Sequence, residues 1–146
     1  MRLTERQTRI IRESFHAVSG DAAGSAASFY AHLYRIAPQT EHLFVADMTR
    51  QGAKLMSTLA VAVGHIDDWN TLRPILEDLA MRHLAYGVRA EHYPVVGEAL
   101  QAMFAERLGS AWTPEAAAAW AEAYAAIQQV MVEAAYPLPA VDVIFR

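Results

Sequence analysis

Cysteine is missing from all 146 residues, which removes disulfides, thiolate metal sites and cysteine nucleophiles from consideration. Lysine is nearly missing too: Lys54 stands alone, and the other cations are arginines scattered along the chain. A net charge of −4 gives no basic footprint for nucleic acid or for an anionic membrane. No apolar run approaches the roughly 18 residues that a membrane helix needs. The longest, "LMSTLAVAVGHI", contains Ser57 and Thr58 and includes His65. The N-terminal "MRLTERQTRI" carries charges where a secretory signal would be apolar, so a cytoplasmic protein is expected. Alternating apolar and polar runs of strand length do not occur either.

What is present is apolar and helical. Hydrophobic residues make up 54% of the chain against 19% charged, enough to fill the core of one domain. Thr4 followed by Gln7 is a capping-box pattern, and Ile10, Ile11, Phe15 and Val18 give a first amphipathic helix. Asp21 caps a second helix running to about Ile36, with Phe29, Leu33 and Ile36 inward. Pro38 limits "APQTEHLF" to a short turn. A third helix is expected from about Thr49 to Ile66, its repeating face being Gln51, Leu55, Leu59, Ala62 and Ile66. After "DDWNT", Thr71 is the expected cap of a fourth helix and Gly87 its stop. A fifth begins between Glu91 and Pro94 and ends at Gly109. "WTPEAAAAW" opens the last helix, with Thr113 as cap, Pro114 in the first position and Glu115 at the positive end. That helix continues to about Ala135, and "YPLPAVDVIFR" lies beyond it. The expectation is one all-α domain over 1–136, six main helices plus a short turn, with a C-terminal tail over 137–146.

His83 is the unusual residue. Leu79, Leu76 and Leu72 precede it at four, seven and eleven residues, so the imidazole points where leucines point. A ring so placed needs a partner for its nitrogens. Periodicity alone favours a satisfied core histidine over a metal ligand. Tyr30 and Gln51 are further polar residues near apolar helix faces, and singly each reads as an ordinary helix residue. One pocket gathering Tyr30, Gln51 and His83 would explain all three.

"SFYAHLYRIAPQTEHLF", "QGAKLM", "RHLAYGV", "HYPVVGEAL" and "AWAEAYAAIQQVM", in that order and spacing, resemble globins. The chain is most similar to single-domain bacterial haemoglobins related to the haem domain of flavohaemoglobins, and to bacterial neuroglobin-like globins. The resemblance covers roughly Leu3 to Ala134. It implies a globin fold around haem b (iron protoporphyrin IX), with His83 as the axial ligand to iron. The second imidazole nitrogen then needs an acceptor, and the Leu79 carbonyl is the nearest candidate. Phe44 matches the aromatic residue against the haem face, though a core phenylalanine would look the same. Leu55 would close the pocket, and Val88 and Tyr93 would line the side of His83. Lys54 or Arg50 either pairs with a haem propionate or is a solvated charge. His92 would lie near the haem edge, while His16, His32, His42 and His65 have no matching role.

Tyr30 and Gln51 match the pair that donates hydrogen bonds to a bound diatomic ligand. Each such bond, where charge-assisted, adds ~1.5–3 kcal/mol, or about 10- to 150-fold in oxygen affinity. An amide at Gln51 is a poor iron ligand, so an open sixth position is expected. The resemblance implies oxygen, nitric oxide and carbon monoxide as ligands. It extends to nitric oxide dioxygenation if a separate reductase supplies electrons, the chain ending about where a globin body ends. The alternative is gas sensing, reported to a partner protein. One departure stands out. Flavohaemoglobins orient the axial histidine through a tyrosine, matched by Tyr93, and a glutamate on the last helix. Counted without gaps, that glutamate falls on Ala135, and Glu133 is turned about 200° away. Peroxidase-like chemistry is thereby put in doubt.

Overall fold

The computed structural model describes residues 2–44 and 47–137. Six α-helices, α1 (Glu5–Ser19), α2 (Ala22–Ile36), α3 (Met48–Gly64), α4 (Trp69–Ala85), α5 (His92–Leu108) and α6 (Pro114–Ala135), are joined by 3-10 turns at Pro38–Leu43 and Gly109–Ala111. No strand occurs among the described residues, as the missing alternation required. Most of the expected tail, residues 138–146, lies outside the described residues.

The helix starts follow local chemistry. Thr4 Oγ1 accepts from the Gln7 N–H at 3.0 Å while Gln7 Oε1 accepts from the Thr4 N–H at 2.8 Å, which satisfies two otherwise orphaned donors. Asp21 accepts from the Gly24 N–H at 3.1 Å and Thr113 from the Ala116 N–H at 3.1 Å. The fourth helix departs from expectation. Asp68, not Thr71, is its cap, accepting from the Thr71 N–H, so α4 begins at Trp69. A carboxylate three residues upstream outcompetes a hydroxyl, because it also meets the positive end of the helix dipole. α4 stops at Ala85 and α5 at Leu108, where Gly87 (φ 91°) and Gly109 (φ 54°) take up left-handed backbone. Side chains are strained there, so glycine is the cheapest residue at both stops.

The fully buried stripe of α3 is Gly52, Met56 and Val63, one step around from the expected face. Gln51, Leu55, Leu59 and Ala62 flank it and are only half-buried. Ile66 is buried, but beyond the helix end.

The core is centred on Ile11, Leu33, Leu72, Met103 and Phe104. Phe104 lies parallel to Trp112 at 4.9 Å and tilted against Trp120 at 4.5 Å. The Trp120 indole N–H donates to Ser14 Oγ at 2.8 Å, so both buried polar groups are paired. α2 lies between α5 and α3, α4 packs on α6, and α1 touches α3, α5 and α6. A Cβ at Gly52 would fall 2.9 Å from that of Ala26, so glycine sets how closely α2 and α3 cross. α3 and α4 share no extensive contact among the described residues, which leaves the half-buried shoulders of both helices without each other's support.

Candidate functional site

His83 sits in the last turn of α4, half-buried behind buried Leu72 and Leu76 and half-buried Leu79. Burial lowers its pKa, helped by the nearby Arg82 charge, while the Leu79 carbonyl opposes the shift. The imidazole is therefore neutral near pH 7, with a free lone pair. The carbonyl falls short of a full hydrogen bond: Nδ1 is sealed from solvent and has no partner among the described residues. Leaving a buried polar atom unpaired costs about 1–3 kcal/mol, and the Leu79 carbonyl one turn back is the group placed to relieve it.

Its surroundings are ordered. The His83 carbonyl accepts from the N–H groups of Tyr86 at 3.1 Å and Val88 at 3.0 Å. The Tyr93 ring lies nearly parallel to the imidazole, with centroids 6.4 Å apart. Burial, with Tyr136 alongside, pushes the Tyr93 phenol up to about 12, so it stays protonated and uncharged. Glu133 is exposed and occupied by the Gln129 amide at 3.2 Å, whereas Ala135 is buried. Among the described residues, no carboxylate bonds to His83 or Tyr93. Val88 is half-buried. His92 is buried and committed elsewhere, its Nδ1 accepting from the Arg89 N–H at 2.9 Å.

A second polar cluster forms where α2 meets the start of α3. The Tyr30 phenol is buried, which raises its pKa, and the adjacent Gln51 amide counteracts the rise. The phenol is thus a protonated donor at neutral pH, next to an amide donor. The Phe44 ring meets Tyr30 edge-on at 5.1 Å. Leu55 is half-buried against the core, while Arg50 and Lys54 are exposed. The sequence reading overlooked Tyr34, one turn after Tyr30. It packs against Tyr30 at 6.0 Å and Phe44 at 6.1 Å, and its hydroxyl faces Met48 Sδ at 3.8 Å. The four-residue spacing from Tyr30 was the signal. Gly52 was overlooked as well, although a glycine inside a long helix marks a close approach. Two surface recesses elsewhere, one beside Trp69 and one between α5 and α6, do not touch His83, Tyr30 or Gln51.

The globin family model matches residues 27–131. A flavohemoprotein of Chromobacterium violaceum is 31% identical over 134 residues, covering 89% of this chain and 33% of that protein. Flavohemoprotein A of Dictyostelium discoideum is 32% identical, covering 92% of this chain and 34% of its own length. The chain thus spans about a third of these relatives. Among solved structures, an engineered carbene transferase derived from a candidate nitric oxide dioxygenase of Rhodothermus marinus superposes with a TM-score of 0.81 at 28% identity, covering 99% of this chain and all of that one. A bacterial globin from Campylobacter jejuni superposes at 0.78 over 98% of this chain and all of its own. Its 21% identity speaks for the fold alone. With the family match running across most of its length, this all-α chain belongs to the globin family.

Proposed function

We propose that this globin holds haem b through His83, binds oxygen with high affinity, and dioxygenates nitric oxide when a separate reductase supplies electrons. The observation that carries the proposal is the His83 imidazole: neutral, half-buried in a leucine stripe, with the Leu79 carbonyl beside it and Nδ1 short of a full hydrogen bond among the described residues. A lone pair kept from protonation by burial suits an iron centre.

The remaining donor set fits the same group. Haem, when bound, supplies an iron centre for diatomic gases. The half-buried shoulders of α3 and α4, which are not packed together, offer a place for a flat apolar ring system. Phe44 and Leu55 supply apolar contact, as do Val88 and Tyr93 on the side of His83. Lys54 at the rim carries the charge that a propionate needs. Tyr30 and Gln51 are the donors: both present N–H or O–H groups to a ligand that gathers negative charge, and neither is charged at neutral pH. They retain oxygen, and they lack the imidazole that would compete for the sixth position. Oxygen, nitric oxide and carbon monoxide are the ligands proposed.

Nitric oxide dioxygenation consumes one nitric oxide, one oxygen molecule and one electron and releases nitrate. Tyr30 and Gln51 would hold the oxygen in place while uncharged nitric oxide enters through apolar surroundings. The relationship to flavohemoproteins and the superposition on a candidate nitric oxide dioxygenase support this activity.

The test is an absorption spectrum of the purified protein in the ferric form, then reduced, then under carbon monoxide. A Soret band, a five-coordinate reduced spectrum and a carbonyl shift are expected. Nitric oxide consumption with stoichiometric nitrate should follow once a reductase is added. Failure to take up haem would end the proposal. Haem uptake with no nitrate, but with ligand-dependent binding of a partner protein, would replace dioxygenation with gas sensing.

A further inference from the structure

Where α2 meets the start of α3, a second pair of side chains stands beside Tyr30 and Gln51. Tyr34 follows Tyr30 by four residues on α2, and Met48 precedes Gln51 by three on α3. Each helix therefore places both of its residues on one face. The Tyr34 hydroxyl donates toward Met48 Sδ across 3.8 Å, a weak bond to a soft acceptor. Burial, with Glu41 nearby, raises the Tyr34 pKa, so the phenol is a protonated donor at neutral pH. Exposure rises from the first pair to the second: Tyr30 is 6% exposed, Tyr34 is half-buried and Met48 is 37% exposed. The second pair thus lies on the solvent side of the first. The Tyr34 ring also packs on Tyr30 and Phe44, at 6.0 and 6.1 Å between centroids, and its hydroxyl is left to α3.

We propose that Tyr34 is a gating residue for the diatomic ligand, its hydroxyl latched on the Met48 sulfur across the outer edge of the Tyr30–Gln51 pair. This rests on the reading that Tyr30 and Gln51 face a bound gas, and deepens it. The latch joins the last turn of α2 to the first turn of α3. While it is made, a phenol ring and a thioether chain stand between the donors and solvent. When it breaks, Met48 is free to move outward, and one weak hydrogen bond is all that opposes the opening. Such a gate has a thermodynamic signature. It bonds to neither the free nor the bound ligand, so it alters only the barrier between them. Association and dissociation then change by one factor, and affinity stays fixed. A donor to the ligand, as Tyr30 is proposed to be, changes dissociation and affinity together.

The experiment uses Tyr34→Phe, which keeps the ring and removes the hydroxyl, and Met48→Leu, which keeps the bulk and removes the sulfur. In haem-free protein, oxidation of Met48 by dilute hydrogen peroxide is followed by peptide mass spectrometry. Met81, 50% exposed, is the internal reference. Tyr34→Phe should speed Met48 oxidation relative to Met81 by roughly 2- to 5-fold, the size of one weak hydrogen bond lost from the sulfur. In the reduced haem-loaded protein, carbon monoxide association is followed after flash photolysis, and its dissociation by displacement with nitric oxide. Each variant should speed both rates by one common factor, roughly 2- to 5-fold, and the double variant should match the single ones. Unchanged Met48 oxidation in Tyr34→Phe would show that no latch exists. Faster oxidation with unchanged gas rates would leave an ordinary helix contact and overturn the gate. Faster dissociation alone would make Tyr34 a donor to the ligand, which overturns it as well. If the protein takes up no haem, the reading of the site fails and the gate with it, whereas the oxidation result still decides whether the latch is there.

Discussion

At the scale of single residues, the site depends on which groups are protonated donors and which is a free base. Burial sets all three states: it raises the Tyr30 and Tyr93 phenols and lowers the His83 imidazole. Tyr30→Phe keeps the ring that packs on Phe29 and Phe44 and removes one donor. Oxygen dissociation, followed by stopped-flow displacement with carbon monoxide, should speed up by about 10- to 150-fold if that bond is charge-assisted. A rate equal to the parent's would take Tyr30 out of the pocket. His83→Ala should abolish stable haem retention; a retained and unaltered Soret band would identify a different axial ligand. These residues were legible because each breaks a pattern. His83 stands in a leucine stripe, and Tyr30 and Gln51 lie beside apolar faces. Met48 broke no pattern, since a methionine at a helix start is unremarkable until the Tyr34 hydroxyl is seen facing its sulfur.

At the scale of elements, helix starts were mostly readable because a cap is a local interaction between residues three apart. The error at α4 came from two neighbouring candidates, where Asp68 and Thr71 competed and the charged one prevailed. The closeness of α2 and α3 was not readable, since it depends on Ala26 and Gly52 meeting across 26 residues of sequence. Gly52→Val should force the helices apart and cost about 1–3 kcal/mol, measured as a lower urea midpoint with an unchanged slope. Because Tyr30 and Gln51 ride on those two helices, oxygen release should change with it. An unaltered midpoint would mean that the crossing has slack.

Asp21, the cap of α2, gives a pH prediction of definite sign. The Gly24 N–H holds its pKa below the ordinary carboxylate value, with the Arg107 guanidinium assisting. The folded state therefore binds this proton less readily than the unfolded chain. The contribution is present at neutral pH and is lost as pH falls below about 4 and through the lowered folded value. Asp21→Asn should lower the thermal midpoint at pH 7, and the gap from the parent should narrow steadily below pH 4. A gap of constant size down to pH 2 would show that the carboxylate charge contributes nothing there.

At the scale of the whole molecule, helix content and a single core followed from composition and periodicity, but the arrangement did not. Nothing local says that α3 rests on α2 while α4 rests on α6, or that α3 and α4 lack extensive mutual contact among the described residues. Haem seated between those two helices would therefore add to the fold's stability. A ligand that binds only the folded chain adds stability by mass action, ~4 kcal/mol at a free concentration a thousand times Kd. For a chain of this size that is about 8–16 °C in Tm. Removing haem should lower the thermal midpoint by that order, and added haem should restore it. The loss should also be uneven. Amides of α3 and of the second half of α4 should lose exchange protection first, since their half-buried faces would carry the haem contacts. The Phe104–Trp120 cluster, which also takes in Trp112, should retain its protection, being packed on protein alone. Uniform loss across all six helices would instead mean that the cofactor stabilises one cooperative unit, with no weaker region between α3 and α4 for it to support.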